Sequence, residues 1–360
     1  MAGEAIPETM LAWQKDFGST QPNRVRVDVP SAPDDGLLVK IYAAGVCHSD
    51  VHLLHMEEKP PEYLDKYTLG HEGCGEVVSV GSAVTKFKPG DMVSVLAVPG
   101  CGSQSCPDCA KGVPQICPLG EHYGIGHNGS FAPYVAIRER AAVKLPSGVS
   151  YAAGAVATDA VLTAYQAVVG RGKVKKGDTV LLFGLGGLGF NALQIMLSIG
   201  ANVIVVDQRQ EVLEEALKFG VKSENVVPVG TGNVAEWVNN KGLLVDTAID
   251  FVGVSETFKA ALDAVRRAGT VVLVGLINPS ISFSSLVPIT KQLDVLGSYG
   301  GTSSDLEASL DLIAKGVITP QVETGHMKDF PQILDDLHNG KIKSRIVLVP
   351  EGVEEAKVAK

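Results

Sequence analysis

Short apolar or alternating runs, separated by turn residues, occupy the chain from residue 24 to residue 150. Examples are RVRVDVP, GLLVKIYAAGV and SFAPYVAIRERAAVKLP, and GEVVSVGSAVTKFKPGDMVSV contains two such runs around a Lys-Pro-Gly-Asp turn. Two-residue alternation is typical of β-strands, and glycine and proline mark the turns between them. We therefore predict that this half of the chain is an all-β domain.

The hydrophobic period changes near residue 160. Apolar residues in AVATDAVLTAYQAVVGRG recur at helical spacing. The strand-like runs TVLLFG, ANVIVVD, TAIDFVG, TVVLVGL and LDVLGSYG then alternate with helical segments such as EVLEEALKFG and FKAALDAVRRAG. This alternation predicts a doubly wound parallel sheet. From about residue 301 the pattern adds two helices, SDLEASLDLIAKG and FPQILDDLHNG, and a last strand, SRIVLVP.

The stretch from Thr179 to Val206 carries no charged residue and is long enough to span a bilayer. It contains five glycines and is followed by Asp207, which a membrane helix would not favour. We predict a buried strand, a glycine turn, a buried helix and a second strand.

The composition narrows the possible classes of protein. A length of 360 residues indicates about two domains, and 45% hydrophobic with 20% charged residues excludes a disordered chain. A net charge of −9 argues against nucleic acid or an anionic membrane as a partner. The first residues lack the apolar core of a secretory signal, so we expect a cytoplasmic location.

The glycine turn inside the uncharged stretch predicts a dinucleotide site. Gly184, Gly186 and Gly189 match G-x-G-x-x-G between a strand and a helix, where the helix N-terminus can receive a pyrophosphate. Asp207 ends the next strand and can accept hydrogen bonds from a ribose diol, which favours NAD. Arg209, two residues further on, is a possible partner for the 2′-phosphate of NADP.

A second motif combines GVCHSDVH with LGHEGCGEVV. Cys47 and His71 offer a soft thiolate and an imidazole, which suit zinc. Other polar residues of the same two segments can orient these ligands: His48, Ser49, Asp50, His52 and Glu72.

A third motif, CGSQSCPDCAKGVPQIC, holds four cysteines with the spacing C-x4-C-x2-C-x7-C. Because the chain shows no secretion signal, such a cluster is expected to bind metal rather than form disulfides. Cys101, Cys106, Cys109 and Cys117 are predicted to form a closed tetrahedral zinc site. The alternative is a set of reduced, free cysteines.

Taken together, these motifs resemble the zinc-dependent medium-chain alcohol dehydrogenases over nearly the whole chain. The order of the catalytic cysteine, GHE, the four-cysteine lobe and the nucleotide fold matches that family, and GHEGCGEVVSVGSAVTKFKPGD is highly characteristic of it. The resemblance implies an α/β protein. Its GroES-like catalytic domain would comprise residues 1–160 and 300–360, with a zinc lobe near 98–120, and its Rossmann NAD-binding domain would comprise residues 161–299.

The resemblance also implies roles for individual residues. Cys47 and His71 would bind a catalytic zinc, and Ser49 would pass the substrate proton through the cofactor ribose to His52. Asp50 would support the zinc ligands, and Glu72 would either do the same or bind the metal itself. Residues expected to contact NAD are His48, Thr163, Gly184, Gly186, Gly187, Leu188, Gly189, Asp207, Arg209, Val274, Leu276, Ser298, Tyr299 and Arg345.

The chain departs from the usual family pattern in three places. The first two lobe cysteines are separated by four residues, GSQS, instead of two. The chain lacks the long insertion after the lobe that marks dimeric animal enzymes, which favours a tetramer. The third catalytic ligand of the family is usually cysteine, whereas the matching segment here contains Asp159.

Asp159 is therefore the predicted third ligand of the catalytic zinc. No cysteine or histidine lies between Lys144 and His326, and catalytic zinc usually has three protein ligands and one exchangeable position, for which alcohol dehydrogenase is itself a standard example. The pattern places Asp159 at the start of a helical stretch, where the helix dipole favours an anion. Alternatively, Glu72 is the ligand and Asp159 caps its helix.

These features predict an NAD-dependent alcohol dehydrogenase with two zinc ions per subunit. One alternative is a zinc-free quinone or enone reductase on the same fold, which would not need Cys47 and His71. Another is a nucleic-acid-binding zinc ribbon, although Lys111 is the only basic residue between 98 and 120. A third is an NADH-binding protein without catalysis.

Overall fold

The computed structural model describes residues 5–342 and 345–353, and within them it contains fifteen strands and eleven α-helices. The strands are β1 (Thr9–Asp16), β2 (Asn23–Asp28), β3 (Gly36–Val46), β4 (Lys66–Thr68), β5 (Glu72–Val80), β6 (Met92–Val95), β7 (Tyr134–Arg138), β8 (Ala142–Lys144), β9 (Thr179–Phe183), β10 (Asn202–Val206), β11 (Val245–Asp250), β12 (Val265–Leu273), β13 (Asp294–Gly297), β14 (Val322–His326) and β15 (Arg345–Val349). The helices are α1 (His48–His55), α2 (Pro107–Ala110), α3 (Tyr151–Val156), α4 (Leu162–Tyr165), α5 (Gly189–Ile199), α6 (Gln210–Lys218), α7 (Val234–Asn240), α8 (Ser255–Ala264), α9 (Leu286–Lys291), α10 (Ser303–Ala314) and α11 (Phe330–His338).

The first compact unit consists of Met1–Leu162, Gly301–Lys315 and Pro320–Lys360. It has a three-stranded sheet in the order β2-β1-β4 and a larger sheet in the order β14-β15-β3-β5-β6-β8, in which β7 also pairs with β3. Strand β3 is buried along almost its whole length, as expected for a central strand. It runs antiparallel to β5, and this register places Gly45 opposite Glu72.

The second compact unit consists of Thr163–Gly300 and Gly316–Thr319. Its sheet is parallel and has the order β10-β9-β11-β12-β13. The central strand β9 is buried on both faces, because helices of a doubly wound fold cover both sides of such a sheet. The predicted change from an all-β pattern to alternating strands and helices is confirmed.

The uncharged stretch from Thr179 to Val206 folds as predicted, into β9, a glycine turn, α5 and β10. A different segment of the described chain, Tyr151–Arg171, is helical, and by length and composition alone it could cross a membrane. However, 72% of its most apolar window is buried inside the protein, which is what the core helix of a globular fold also shows.

The predicted position of Asp159 in its helix is wrong. The helical segment begins at Tyr151, where the hydroxyl of Ser150 accepts a hydrogen bond from the Ala153 amide. Asp159 lies two turns further on, in a π-helical turn over Ala157–Val161. The helix-capping alternative for Asp159 is therefore wrong, and the dipole of the helix N-terminus does not act on this side chain.

Two further elements differ from the sequence pattern. The segment FKAALDAVRRAG is helical only to Ala264, and Val265 already pairs with Val245 of β11. The ammonium group of Lys291 binds three carbonyl oxygens at that end of α8, which supports an earlier helix end. Helix α1 was not predicted, since its eight residues, HSDVHLLH, are too few to show a clear helical period.

Candidate catalytic metal centre and dinucleotide turn

The metal centre begins where β3 ends. Cys47 is the residue before α1, and its backbone N–H donates to Asp50 Oδ2 at 2.9 Å, while the Asp50 N–H donates to the Cys47 carbonyl at 3.0 Å. This reciprocal pair closes the first turn of the helix. It fixes the buried thiol of Cys47 at the C-terminal end of the central strand β3.

His71 reaches the same point from the other strand of the pair, immediately before β5. Its Nδ1 faces Asp50 Oδ1 at 3.3 Å, and its Nε2 lies 3.9 Å from Asp159 Oδ2. A carboxylate on the far nitrogen fixes the ring and its tautomer in metal sites. Asp50 thus organises two ligand candidates at once, the Cys47 backbone and the His71 ring.

Glu72 is fully buried beside Gly45 of β3. A side chain at position 45 would collide with the Glu72 carboxylate, so the glycine provides the space for it. Among the described residues no well-oriented hydrogen-bond donor serves either carboxylate oxygen, although Arg345 Nη2 approaches Oε1 to 2.9 Å. Burial raises the pKa of Glu72 well above its ordinary value, and Arg345 opposes this.

Asp159 completes the centre from the π-helical turn. Its Oδ2 lies 3.4 Å from Cys47 Sγ and accepts a hydrogen bond of 2.6 Å from Arg345 Nη2. Ligand atoms of Cys47, His71, Glu72 and Asp159 all lie within 4.8 Å of one another. π-Helical turns are often found at functional sites, and here the wider turn carries the only carboxylate of that helix.

The donor set fits a divalent cation. A thiol, an imidazole and two carboxyl groups converge in a buried space where Arg345 supplies the nearby positive charge. Burial by itself would lower the pKa of His71, but Asp50 and Cys47 raise it well above the ordinary value. An excess of negative charge around a buried ring is what a zinc ion would balance.

The residues of the expected proton path lie beside this centre. Ser49 Oγ is 3.5 Å from Cys47 Sγ, and Ser49 and His52 are both exposed on α1. His48 lies on the same helix and is also exposed as a residue; partial desolvation of its imidazole lowers its pKa, as does the positive charge of Arg345.

The four lobe cysteines also converge. Their sulfur atoms lie within 4.8 Å of one another, with Cys101 3.7 Å from Cys109 and Cys106 3.6 Å from Cys117, and no disulfide joins them. The additional residues of GSQS form an exposed turn in which the Cys106 N–H donates to the Ser103 carbonyl. The longer spacing therefore leaves all four thiols in one cluster.

One arginine links the two ends of this lobe. Arg140 donates to the Gly100 carbonyl and to the Glu121 carboxylate, each at 2.8 Å. His122 Nε2 lies 3.0 Å from the Cys117 carbonyl. Tying the ends of a segment with little apolar core is the same function that a structural zinc would serve inside it.

The dinucleotide turn has the form that the glycine pattern predicts. Gly184 has a φ of +86°, and a Cβ there would lie 2.8 Å from Val252 Cγ2. A Cβ on Gly189 would collide with the Gly184 carbonyl, whereas one on Gly186 would meet nothing within 4 Å. Gly184 and Gly189 are thus required by the fold itself, while the space at Gly186 is available for the close approach of a phosphate.

Asp207 is bonded to the same turn. Its Oδ2 accepts from the Leu185 N–H at 2.8 Å, and its Oδ1 accepts from Arg209 Nε at 3.0 Å. Burial would raise the pKa of Asp207, but these hydrogen bonds and the Arg209 charge lower it below the ordinary value. The guanidinium of Arg209 is thus paired with the Asp207 carboxylate at the glycine turn.

Other expected cofactor residues lie at several places in the fold. Val274 and Leu276 follow β12, Ser298 and Tyr299 follow β13, and Thr163 is buried in the helical segment near Asp159. Arg345 forms ion pairs with Glu72 and Asp159 of the metal centre, and its expected contact with NAD stays a prediction.

Comparisons with known proteins agree with this geometry. Residues 33–147 match the alcohol dehydrogenase GroES-like domain, and residues 187–315 match the zinc-binding dehydrogenase domain. An alcohol dehydrogenase of Geobacillus stearothermophilus is 31% identical over 89% of this chain and 94% of its own length. Alcohol dehydrogenase 2 of Caenorhabditis elegans is 31% identical over 97% and 99%. The solved acetophenone reductase of Geotrichum candidum, in complex with NAD, is 33% identical, with a TM-score of 0.86 over 96% of this chain and 98% of that one.

The chain belongs to the zinc-dependent medium-chain alcohol dehydrogenase family. The predictions of this family, of its GroES-like and Rossmann fold class, and of an alcohol dehydrogenase type of oxidoreductase are confirmed.

Sequence reasoning did not predict the ion pairs that Arg345 forms at the metal centre. No signal within SRIVLVP connects this arginine with Glu72 or Asp159. Only the pairing of β15 with β3 brings this end of the chain to the metal centre.

Proposed function

We propose that this protein is an NAD-dependent dehydrogenase that interconverts an alcohol and an aldehyde or ketone at a zinc held by Cys47, His71 and Asp159. The observation that carries the proposal is the convergence of these three side chains, with Glu72, within 4.8 Å. Three protein ligands leave one position for a substrate. The relatives named above support the same activity.

Zinc and NAD would supply complementary chemistry at this site. A zinc held by Cys47, His71 and Asp159 would supply a Lewis acid that makes an alcohol hydroxyl more acidic, and NAD would supply the hydride acceptor. Asp50 holds the imidazole of His71 in the orientation that leaves Nε2 facing the other ligands. Ser49 Oγ would accept the alcohol proton while it gives up its own hydroxyl proton towards exposed His52, and His52 would release that proton to water.

We propose that Glu72 and Arg345 act together beside these ligands. Arg345 keeps a buried positive charge next to two carboxylates, which limits the repulsion between Glu72 and Asp159. A carboxylate in place of the usual thiolate makes the ligand set harder, so the site discriminates less between zinc and cobalt or manganese.

The proposal is tested by metal analysis followed by turnover assays. The purified protein is expected to contain two zinc ions per subunit, one in each cluster. A panel of primary, secondary and aryl alcohols, with acetophenone included because a relative reduces it, is then assayed with NAD and NADP. Turnover of enones or quinones by zinc-stripped protein, with no alcohol oxidised by the zinc-loaded form, would favour the zinc-free reductase instead.

Asp207 is proposed to select NAD over NADP. Its buried carboxylate would repel a 2′-phosphate, and its pairing with Arg209 removes the nearest cation from that role. Asp207→Gly should release Arg209 and lower the ratio of kcat/KM for NAD to that for NADP by about tenfold or more, since one lost charge contact is worth over 1 kcal/mol. A higher kcat/KM with NADP in the wild-type enzyme would refute this role.

We further propose that the enzyme is a cytoplasmic homo-oligomer, with a tetramer favoured. Strand β13 lies at the sheet edge, and in the described residues it pairs with β12 alone. Val295 of β13 itself and Leu286 and Ile289 of the preceding helix α9 are exposed apolar side chains, and such an edge is usually covered. Light scattering on the eluted protein should give about four times 37.7 kDa, and a monomer would contradict the proposal.

A further inference from the structure

Asp250 connects the loops at the carboxyl end of the parallel sheet. It is the last residue of β11 and is fully buried. Its Oδ1 accepts from the Val252 and Gly253 amides at 2.8 and 3.0 Å, and its Oδ2 accepts from Thr257 Oγ1 at 2.8 Å. Burying a carboxylate costs free energy unless it is hydrogen-bonded in this way. We therefore ask what these hydrogen bonds do for the loop.

The loop that Asp250 holds lies at the point where the strand order reverses. Along the chain β9 is followed by β10 on one side, and then β11 lies on the other side of β9. In open parallel sheets the ligand occupies the crevice between the loops that leave these two central strands. Here those loops are the glycine turn after β9 and residues 251–254 after β11.

The two loops pack against each other at Val252 and Gly184. Val252 Cγ2 would be only 2.8 Å from a Cβ on Gly184, whose φ of +86° defines the glycine turn. On the other side, a Cβ on Gly253 would collide with the Gly275 carbonyl. A shift of residues 251–254 would therefore move the glycine turn or the loop after β12.

The backbone of Asp250 also binds the loop that follows β12. Its carbonyl accepts from the Val274 and Gly275 amides at 2.9 Å each, and the Ile277 amide donates to the Val252 carbonyl at 3.2 Å. One residue thus joins the loops after β11 and β12, and through Val252 the turn after β9.

We propose that Asp250 is a positioning residue for the dinucleotide, acting through Val252 on the Gly184 turn. This inference rests on the proposed NAD-dependent function. The carboxylate accepts from two amides of its own loop and from Thr257 of helix α8, and it thereby fixes the position of Val252 relative to Gly184. The turn then keeps the shape in which the open side of Gly186 faces a pyrophosphate.

The test measures NADH binding by fluorescence titration of the zinc-loaded protein, which does not depend on alcohol turnover. Asp250→Ala should raise the Kd for NADH about tenfold, since the two hydrogen bonds to the loop amides and the one from Thr257 of α8 are lost. Asp250→Asn keeps an oxygen for the two amides and should stay within about threefold of the wild-type Kd. Zinc content should remain at two ions per subunit in both variants.

Asp246 is the matched control, because it lies on the same strand at the opposite end of the sheet. Its carboxylate binds the Thr179 amide and Arg266 at 2.8 and 2.7 Å. Asp246→Ala should lower the melting temperature without changing the Kd for NADH. An equal loss of NADH affinity in Asp246→Ala would overturn the positioning role.

Val252→Ala provides a second route in case Asp250→Ala does not fold. Removing the methyl groups beside Gly184 should raise the Kd for NADH at least about threefold at unchanged zinc content. If Asp250→Ala folds and binds NADH with wild-type affinity, the inference is overturned while the proposed function stands. If Asp250→Ala is insoluble, wild-type affinity in Val252→Ala has the same consequence. If the wild-type protein binds no NADH, the proposed function fails together with the inference.

Discussion

The two clusters of metal-ligand side chains in the first compact unit each have four donors, but they differ in the chemistry of the donors and in how far apart the donors lie in the sequence. The lobe uses four thiols from 17 consecutive residues, between Cys101 and Cys117. The other cluster takes one thiol, one imidazole and two carboxyl groups from residues 47 to 159, and Arg345 adds a positive charge from the end of the chain.

On the proposed function, this difference separates a structural zinc site in the lobe from a catalytic zinc site at Cys47, His71 and Asp159. Four thiolates saturate a tetrahedral zinc and leave no position for substrate, so such a site can only hold a loop together. A mixed set with three protein ligands leaves a position open, and its geometry depends on supporting groups such as Asp50. The following experiments test whether the two clusters behave in these two ways.

The largest expected effect is that of Asp159→Ala. Losing the third ligand should reduce zinc from two ions per subunit towards one and lower kcat/KM for alcohol oxidation at least about a thousandfold. Zinc content is measured by mass spectrometry and activity by NADH formation.

Glu72 and Thr158 serve as controls for that experiment. Glu72→Gln should keep both zinc ions if Glu72 only supports the ligands, and a loss of one zinc there would make Glu72 the ligand instead. Thr158→Ala removes a neighbouring hydroxyl that donates to the Ala155 carbonyl, and it should leave both metals bound. An active Asp159→Ala enzyme with two zinc ions would refute the assignment.

For Cys106→Ser we expect a loss of stability with little change in catalysis, the opposite of the effect expected for Asp159→Ala. The lobe should lose its zinc and the melting temperature should fall by about 5 °C or more, because metal binding there contributes folding free energy. At low temperature the folded fraction should keep a nearly normal KM for alcohol. Cys74 is buried outside both clusters, so Cys74→Ala should keep two zinc ions, and a similar zinc loss in this control would undermine the comparison.

The smallest effect is expected from His52→Ala, which changes neither cluster. Alcohol oxidation should slow by about tenfold below roughly pH 8 and recover partly with an added buffer base, because an imidazole carries protons near neutral pH. His55→Ala, on the same helix with its ring on the Val51 carbonyl, should leave the pH–rate profile unchanged. If His52→Ala also leaves that profile unchanged, His52 is not on the proton path.

Features whose residues lie close together in the sequence could be predicted from it, whereas contacts between residues far apart in the sequence could not. The four lobe cysteines and the three glycines of the dinucleotide turn are local patterns, and their spacing was sufficient to predict both features. The choice of Asp159 came from the absence of any cysteine or histidine between Lys144 and His326 together with family likeness. Its position in a π-helical turn was missed, because helical spacing does not reveal where an extra residue widens a turn.

The sequence by itself determined the two fold patterns, the local metal motif and the glycine turn, since each depends on neighbouring residues and on backbone conformation. Only the tertiary structure decided which distant groups meet: Asp50 with His71, Gly45 with Glu72, and Arg345 with Asp159. The physical reason is that strand register and the order of strands in a sheet follow from burial of whole faces. Charges far apart in the chain are thereby brought within bonding distance without leaving a signature around either residue.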